Sequence, residues 1–77
     1  MNELFQALDL LLEQMISQQR EKVYQVAQEI NPRLTREDIL DPPGFPELAS
    51  NPRFNYEDGI LAGLISAQMA LRAHIQR

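Results

Sequence analysis

The chain has 77 residues, 7 of them basic and 11 acidic, so it carries a net charge of −4, and it contains no cysteine. This length fits one domain, and the lack of cysteine excludes a disulfide scaffold, a thiolate metal site and a cysteine nucleophile. Because a single core of this size seldom supplies more than about 5 kcal/mol, we expect association with another chain to stabilise the fold.

The start of the chain is typical of a cytoplasmic protein. Residues 1–5 lack the basic segment of a signal peptide, and Asp9 interrupts the apolar stretch that follows. No apolar run approaches the roughly 18 residues of a membrane span, so we expect no membrane contact. The acidic balance also disfavours nucleic acid as a partner, because phosphate-binding surfaces cluster Lys and Arg.

Residues 2–30 are predicted to form one long helix. They contain neither Gly nor Pro, and most of their apolar side chains fall within about 160° of arc at 100° per residue, with Leu10 and Tyr24 on the far side. The helix should end at Asn31, because the following Pro32 disfavours helical backbone in the residue before it. Gln19 interrupts the apolar face at its centre. It is either a partly exposed residue that the face tolerates or a buried polar residue that fixes register or oligomeric state.

The linker, residues 31–53, contains two similar segments, 31–40 and 51–60. Each has an Asn-Pro-Arg turn, an apolar residue, a capping residue and an acidic first turn. Thr35 and Asn55 are the predicted caps, and a short helix is expected at 36–40. We interpret the likeness as one capping solution used twice, since a single short match is not a repeat array.

The second part of the linker is rich in proline. Residues 41–53 hold four of the five prolines, and residues 46–49 could form one helical turn with Pro46 at its first position. Two interpretations stay open for this segment. It is a stiff strap that packs apolar residues onto the helices, or it is a partner-binding loop that presents Arg33, Phe45, Leu48 and Arg53.

Residues 54–76 are predicted to form the second long helix, capped by Asn55 and ending with Arg72 and His74 in its last turn. One face of this helix consists of small residues. Because each Gly in a helix costs up to about 1 kcal/mol relative to Ala, Gly59 and Gly63 suggest that another helix packs closely against it. We call this the small-residue face: Gly59, Ala62, Gly63, Ser66, Ala70 and Ala73.

The sequence carries no recognisable catalytic, cofactor or metal motif. His74 lies where a surface histidine complements the helix dipole, and the acidic pairs lie where helix capping predicts them. No calcium loop, phosphate loop or zinc spacing occurs. A weaker hypothesis is a small-ligand enzyme with Tyr56, Glu57 and His74 near a dimer cleft.

These observations predict an all-α protein with two long helices per chain, joined by a Pro-rich segment with a short helix. A helix of about 29 residues would be about 43 Å long and would overhang a compact monomer of this size. We therefore expect a homodimer with a four-helix-type core, although half of a heteromer would expose the same apolar surface. The expected interface residues are Phe5, Leu8, Leu12, Gln19, Gly59, Gly63, Ser66 and Ala70.

The function expected from these features is a small non-enzymatic interaction or regulatory protein, an adaptor or accessory subunit without a cofactor. The alternative is a dimeric helical regulator that binds nucleic acid through Arg33, Arg36 and Arg53 in the turns.

Overall fold

The computed structural model describes residues 3–75. Two long helices, α1 (Glu3–Ile30) and α3 (Pro52–Ile75), are joined by two 3₁₀ turns (Asp38–Leu40 and Pro42–Gly44) and by the single-turn helix α2 (Pro46–Ala49). The prediction of an all-α fold with two long helices and a Pro-rich connection is confirmed.

Helix α1 is continuous over 28 residues and ends at Ile30, as its sequence predicts. Its last turn is closed by the Asn31 N–H, which donates to the carbonyl of Ala27 at 2.9 Å. The Asn31 side chain then accepts a hydrogen bond from the Arg33 N–H at 3.1 Å. The helix therefore stops because Asn31 and Pro32 form a local turn in its place. Residue 2, the predicted first helical residue, lies outside the described residues.

Helix α3 begins at Pro52 and not at residue 54, so the prediction of Asn55 as its cap is wrong. The cap is Asn51, whose Oδ1 accepts from the Phe54 N–H at 2.9 Å. Pro52 occupies the first helical position, where its missing N–H costs nothing. Asn55 lies inside the first turns, and its Nδ2 donates to the Ala49 carbonyl at 3.0 Å. Residue 76, the predicted end, lies outside the described residues.

The two similar linker segments fold differently. Thr35 and Asp38 do bind each other's backbone reciprocally, with Thr35 N–H to Asp38 Oδ2 at 2.9 Å and Asp38 N–H to Thr35 Oγ1 at 3.2 Å. The expected helix at 36–40 is reduced to the 3₁₀ turn Asp38–Leu40. It cannot extend further because Asp41 precedes Pro42.

The long helices run antiparallel, and the hydrophobic core lies at the linker end of the hairpin. The linker folds back onto this end and contributes Leu34 and Leu48 to the core. Ile30, Ile39, Phe45 and Leu61 pack around it. The buried residues of this core are Val23, Val26, Ala27, Leu34, Leu48 and Phe54.

The other half of the hairpin, residues 3–19 with 60–75, has almost no core, and we call it the open half. Its buried residues, within the described part of the chain, are Phe5, Ile16 and Gln68. The molecule measures 44 × 19 × 18 Å with a radius of gyration of 14.8 Å. A compact chain of this length would have about 11–12 Å. The first helix therefore overhangs the core as expected.

Candidate interaction surface

A row of exposed apolar side chains follows one side of α1 through the open half. These residues are 40 to 68% exposed. Their spacing of four, three and four residues places them on one side of the helix. Large apolar side chains in a contiguous row mark an interaction surface more often than scattered ones do. We call this row the apolar ridge: Leu4, Leu8, Leu11 and Met15.

The ridge continues onto α3 through an open groove of about 520 Å³. Met15 forms one wall of this groove, and Tyr56, Ile60 and Leu64 form the other. Tyr56 and Ile60 are themselves exposed. At the linker end the groove is lined by polar residues, among them Lys22. Both long helices thus contribute apolar surface to the same side of the hairpin.

The opposite side of α1 carries charge. Asp9 accepts two hydrogen bonds from the Arg72 guanidinium, at 2.8 and 3.2 Å, and Glu13 lies 3.5 Å from the same group. Arg72 holds the pKa of the Asp9 carboxyl below its usual value, chiefly by hydrogen bonding, against a smaller opposing effect of desolvation. Asp9 and Glu13 are therefore directed away from the apolar ridge.

Two glutamines cross the interface between α1 and α3. Gln19 is half-buried, and its Nε2 donates at 2.9 Å both to the Glu57 carbonyl and to Glu57 Oε1. Gln68 is buried, and its Nε2 donates to Glu13 Oε2. Of the two interpretations of Gln19, the structure favours a residue that fixes register, here between two helices of the same chain.

The eight expected interface residues do not share one surface in the chain. Phe5 is buried, and Leu12 and Gln19 are half-buried against α3. Leu8 belongs to the apolar ridge. The four from α3 lie on the small-residue face, where every member is exposed. They are Gly59, Gly63, Ser66 and Ala70.

No close packing occurs at the small-residue face within one chain. A Cβ atom added at Gly59 or Gly63 would meet nothing within 4 Å. The close approach that the sequence predicts at these glycines therefore has no partner inside the hairpin.

The four residues expected to form a partner-binding loop do not share one exposed surface either. Leu48 is fully buried in the core and Phe45 is half-buried against it, so neither is presented to a partner. Arg53 forms an ion pair with Glu29, and Arg33 is exposed. These positions support the strap interpretation of residues 41–53.

A second groove, of about 250 Å³, lies on the other side, next to the first 3₁₀ turn. Its floor is apolar, with Val23, Ile39 and Leu61, and Arg20 and Asp58 stand at its rim. Arg36 also borders the groove, but it is held by Glu21 and lies 4.2 Å from the centre of the Tyr24 ring. This groove lies between the first 3₁₀ turn and the two long helices.

The residues suggested for catalysis do not meet in a pocket of one chain. Tyr56 and Glu57 line the groove beside the ridge, whereas His74 is exposed in the last turn of α3, about 26 Å further along the helix. Within residues 3–75 no three His, Asp or Glu side chains cluster as a metal site would require. In the same part of the chain, no helix has both the length and the apolar composition for crossing a membrane.

Comparison of the chain with protein families, with curated proteins and with solved structures gives no significant match in any of the three.

The sequence indicated the ridge only indirectly. All of its members were included in the apolar face of about 160°, which is wider than one neighbouring helix can cover. Phe5, Leu12 and Ile16 form the part that meets α3, and the ridge is the part left over. Gln68 was not singled out, although it lies seven residues after Leu61 and so repeats the side that faces α1.

Proposed function

We propose that this protein is a small non-enzymatic interaction protein of the cytoplasm, an adaptor or accessory subunit, that works as a homodimer with a four-helix-type core. The observation that carries the proposal is the apolar ridge along a half of the hairpin that lacks its own core. A second hairpin laid against this side would cover the ridge and Ile60 together. The dimer would then bury what the single chain leaves in water.

The exposed surface area of the chain supports a partner of about the size of a second copy. The chain exposes 5529 Å², whereas a folded monomer of 8.9 kDa is expected to expose about 4,800 Å². The excess of about 700 Å² is close to the roughly 800 Å² per partner that a stable protein interface buries. A second copy of a hairpin with the same shape is sufficient to remove it.

The test compares two adjacent leucines of similar exposure. Leu11 lies on the ridge and is 52% exposed, while Leu10 lies off it and is 60% exposed. We expect light scattering to give twice 8.9 kDa for the native chain and for Leu10→Glu, and 8.9 kDa for Leu11→Glu. A charge buried without a partner at the interface disfavours assembly, whereas the same charge in water does not.

A native chain that stays monomeric on concentration contradicts self-association. A dimer that persists in Leu11→Glu would show that the ridge is not the interface. If the native chain is monomeric, a heteromeric partner would be sought by pull-down with the native chain as bait.

The nucleic-acid alternative has less support. Of the three arginines expected to contact phosphate, Arg36 is paired with Glu21 and Arg53 with Glu29, so only Arg33 offers an uncommitted charge among them. The net charge of −4 acts against it further. Retention of RNA or DNA on a filter at low salt would revive this alternative, and we expect none.

A further inference from the structure

We propose that the second copy docks antiparallel on α1, with the two-fold axis passing between Leu8 and Leu11. This inference rests on the proposed homodimer and specifies its register. The axis would cross α1 at the level of residues 9 and 10, so that only the open halves of the two hairpins overlap. The linker ends, with their cores, would point in opposite directions.

The ridge is complementary to its own reversed copy. When α1 is turned end for end about this axis, Leu4 faces Met15 of the second copy and Leu8 faces its Leu11, and the reverse pairs follow by symmetry. The spacing of four, three and four residues is that of a coiled-coil seam. Such a seam alternates two kinds of core position, and in an antiparallel pair each kind faces the other kind on the second helix. Every large apolar member of the ridge thereby meets another.

The residues that continue the ridge oppose a parallel arrangement. Three and seven residues beyond Met15 on the same side stand Gln18 and Lys22, both exposed. A parallel pair in register would place Lys22 against Lys22 of the second copy, and would align the two helix dipoles. In the antiparallel register the paired ridge residues end at Met15, and neither polar residue meets its own copy.

Charge does not oppose the overlap. Asp9 and Glu13, the acidic residues of α1 between Leu4 and Met15, are turned toward Arg72 on the other side of the helix. On the outer flank of the ridge stand Ala7 and Gln14, both exposed and uncharged. The ridge can therefore meet its copy without burying a charged group, which an apolar interface requires.

The overlap also covers the open half, which is the half of the molecule with few buried contacts of its own. The core fills the linker end, while the open half relies on Phe5, Ile16 and Gln68 for its buried contacts. Pairing two open halves gives four helices around one new core, which is a stable architecture where a two-helix hairpin is marginal.

The experiment measures distances between nitroxide labels on the full-length dimer. Because the chain contains no cysteine, Gln25→Cys and Ala7→Cys each give one label per chain. Both positions are exposed, and they lie five full turns apart on the same side of α1. In the proposed register the two labels at residue 25 are about 45–50 Å apart, and those at residue 7 about 20 Å apart.

A parallel dimer would give nearly equal distances at both positions, each below about 30 Å, since only the interhelix spacing separates the labels. That result would overturn the register and leave the homodimer intact. Light scattering on the native chain and on the sample labelled at residue 25, which lies outside the proposed contact, distinguishes this from a monomer, which would overturn the register and the proposed homodimer together. A dimer with the long distance at residue 25 and the short one at residue 7 supports the proposal.

Discussion

Polar side chains between the long helices decide how α1 and α3 are aligned. An apolar contact tolerates sliding, but Gln19 reaches one particular carbonyl of α3, that of Glu57, and Gln68 reaches Glu13. A half-buried amide that lost these partners would be left without hydrogen bonds in a region that excludes much of the water. Each glutamine therefore favours one register over its neighbours.

Replacing Gln19 by Ala should lower the free energy of unfolding by about 1 kcal/mol, because the hydrogen bonds to Glu57 are lost. Gln25→Ala is the matched control, since Gln25 is an exposed glutamine of the same helix. Urea unfolding at one fixed protein concentration compares the two. Equal stabilities would contradict a role of Gln19 in alignment.

The cap of α3 gives a second test. It compares Asn55, the cap predicted from the sequence, with Asn51, the cap in the structure. Asn51→Ala should cost about 1 kcal/mol, because the Phe54 N–H loses its acceptor at the helix start. Asn55→Ala should cost less, since Asn55 makes one exposed hydrogen bond inside the helix. If chemical unfolding ranks the two variants in the opposite order, Asn55 and not Asn51 acts as the cap.

The Asp9–Arg72 pair predicts a pH dependence. Because the pKa of Asp9 is lower in the folded chain than in the unfolded one, its contribution is complete above the ordinary pKa of about 4 and is lost as pH falls below it. The free energy of unfolding should therefore decrease as the pH is lowered from 5 to 2. Glu21, whose pKa is lowered by Arg36, contributes in the same direction.

Asp9→Asn should remove part of this decrease and Glu21→Gln a separate part, since the two pairs lie apart on α1. Unchanged acid dependence in Asp9→Asn would show that the pair with Arg72 does not form in solution.

Among the elements, the linker is the one whose role the structure assigns. Helix α2 is a single turn, yet it places Leu48 in the centre of the core between α1 and α3. Two 3₁₀ turns and a helix with proline at its start hold the backbone in fixed conformations, which lowers the entropy lost on folding. The segment acts as a strap that closes the linker end of the hairpin.

Shortening Leu48 to Ala should therefore destabilise the chain by about 2–5 kcal/mol, because it leaves a cavity among Val26, Phe54 and their neighbours. The control is Leu40→Ala, at a leucine of the same linker that is 75% exposed and should change stability by less than about 0.5 kcal/mol. Thermal unfolding followed by circular dichroism measures both. Similar midpoints would contradict the strap.

At the scale of the whole molecule, the proposed homodimer has two candidate interfaces. The apolar ridge and the small-residue face lie on different sides, so one substitution tests each. The sequence suggests that Gly63→Leu disrupts assembly, whereas assembly through the ridge leaves Gly63 in water.

We expect Gly63→Leu to remain dimeric by light scattering. The chain itself should be no less stable, because a Cβ atom added at residue 63 meets nothing within 4 Å and leucine favours helix more than glycine does. Dissociation of Gly63→Leu, with Leu11→Glu still dimeric, would move the interface to the small-residue face.

Local chemistry determined much of this fold. The end of α1 before Pro32, the turn at Pro46 and the reciprocal Thr35–Asp38 hydrogen bonds all follow from the conformations that proline and short polar side chains allow, and these act over a few residues. The start of α3 was missed because Asn51 and Asn55 both qualify as caps, and only the Phe54 N–H shows which is used. Periodicity likewise gave the apolar face of α1 but not its division.

That division was decided by the tertiary structure. One antiparallel neighbour covers only part of a face of about 160°, so Phe5 and Leu12 turn inward while the apolar ridge remains in water. The sequence by itself determined the helices, their length and the presence of surplus apolar surface. Which residues are surplus depends on the side that α3 occupies and on the register that Gln19 and Gln68 hold, and these are contacts between residues 38 and 55 positions apart.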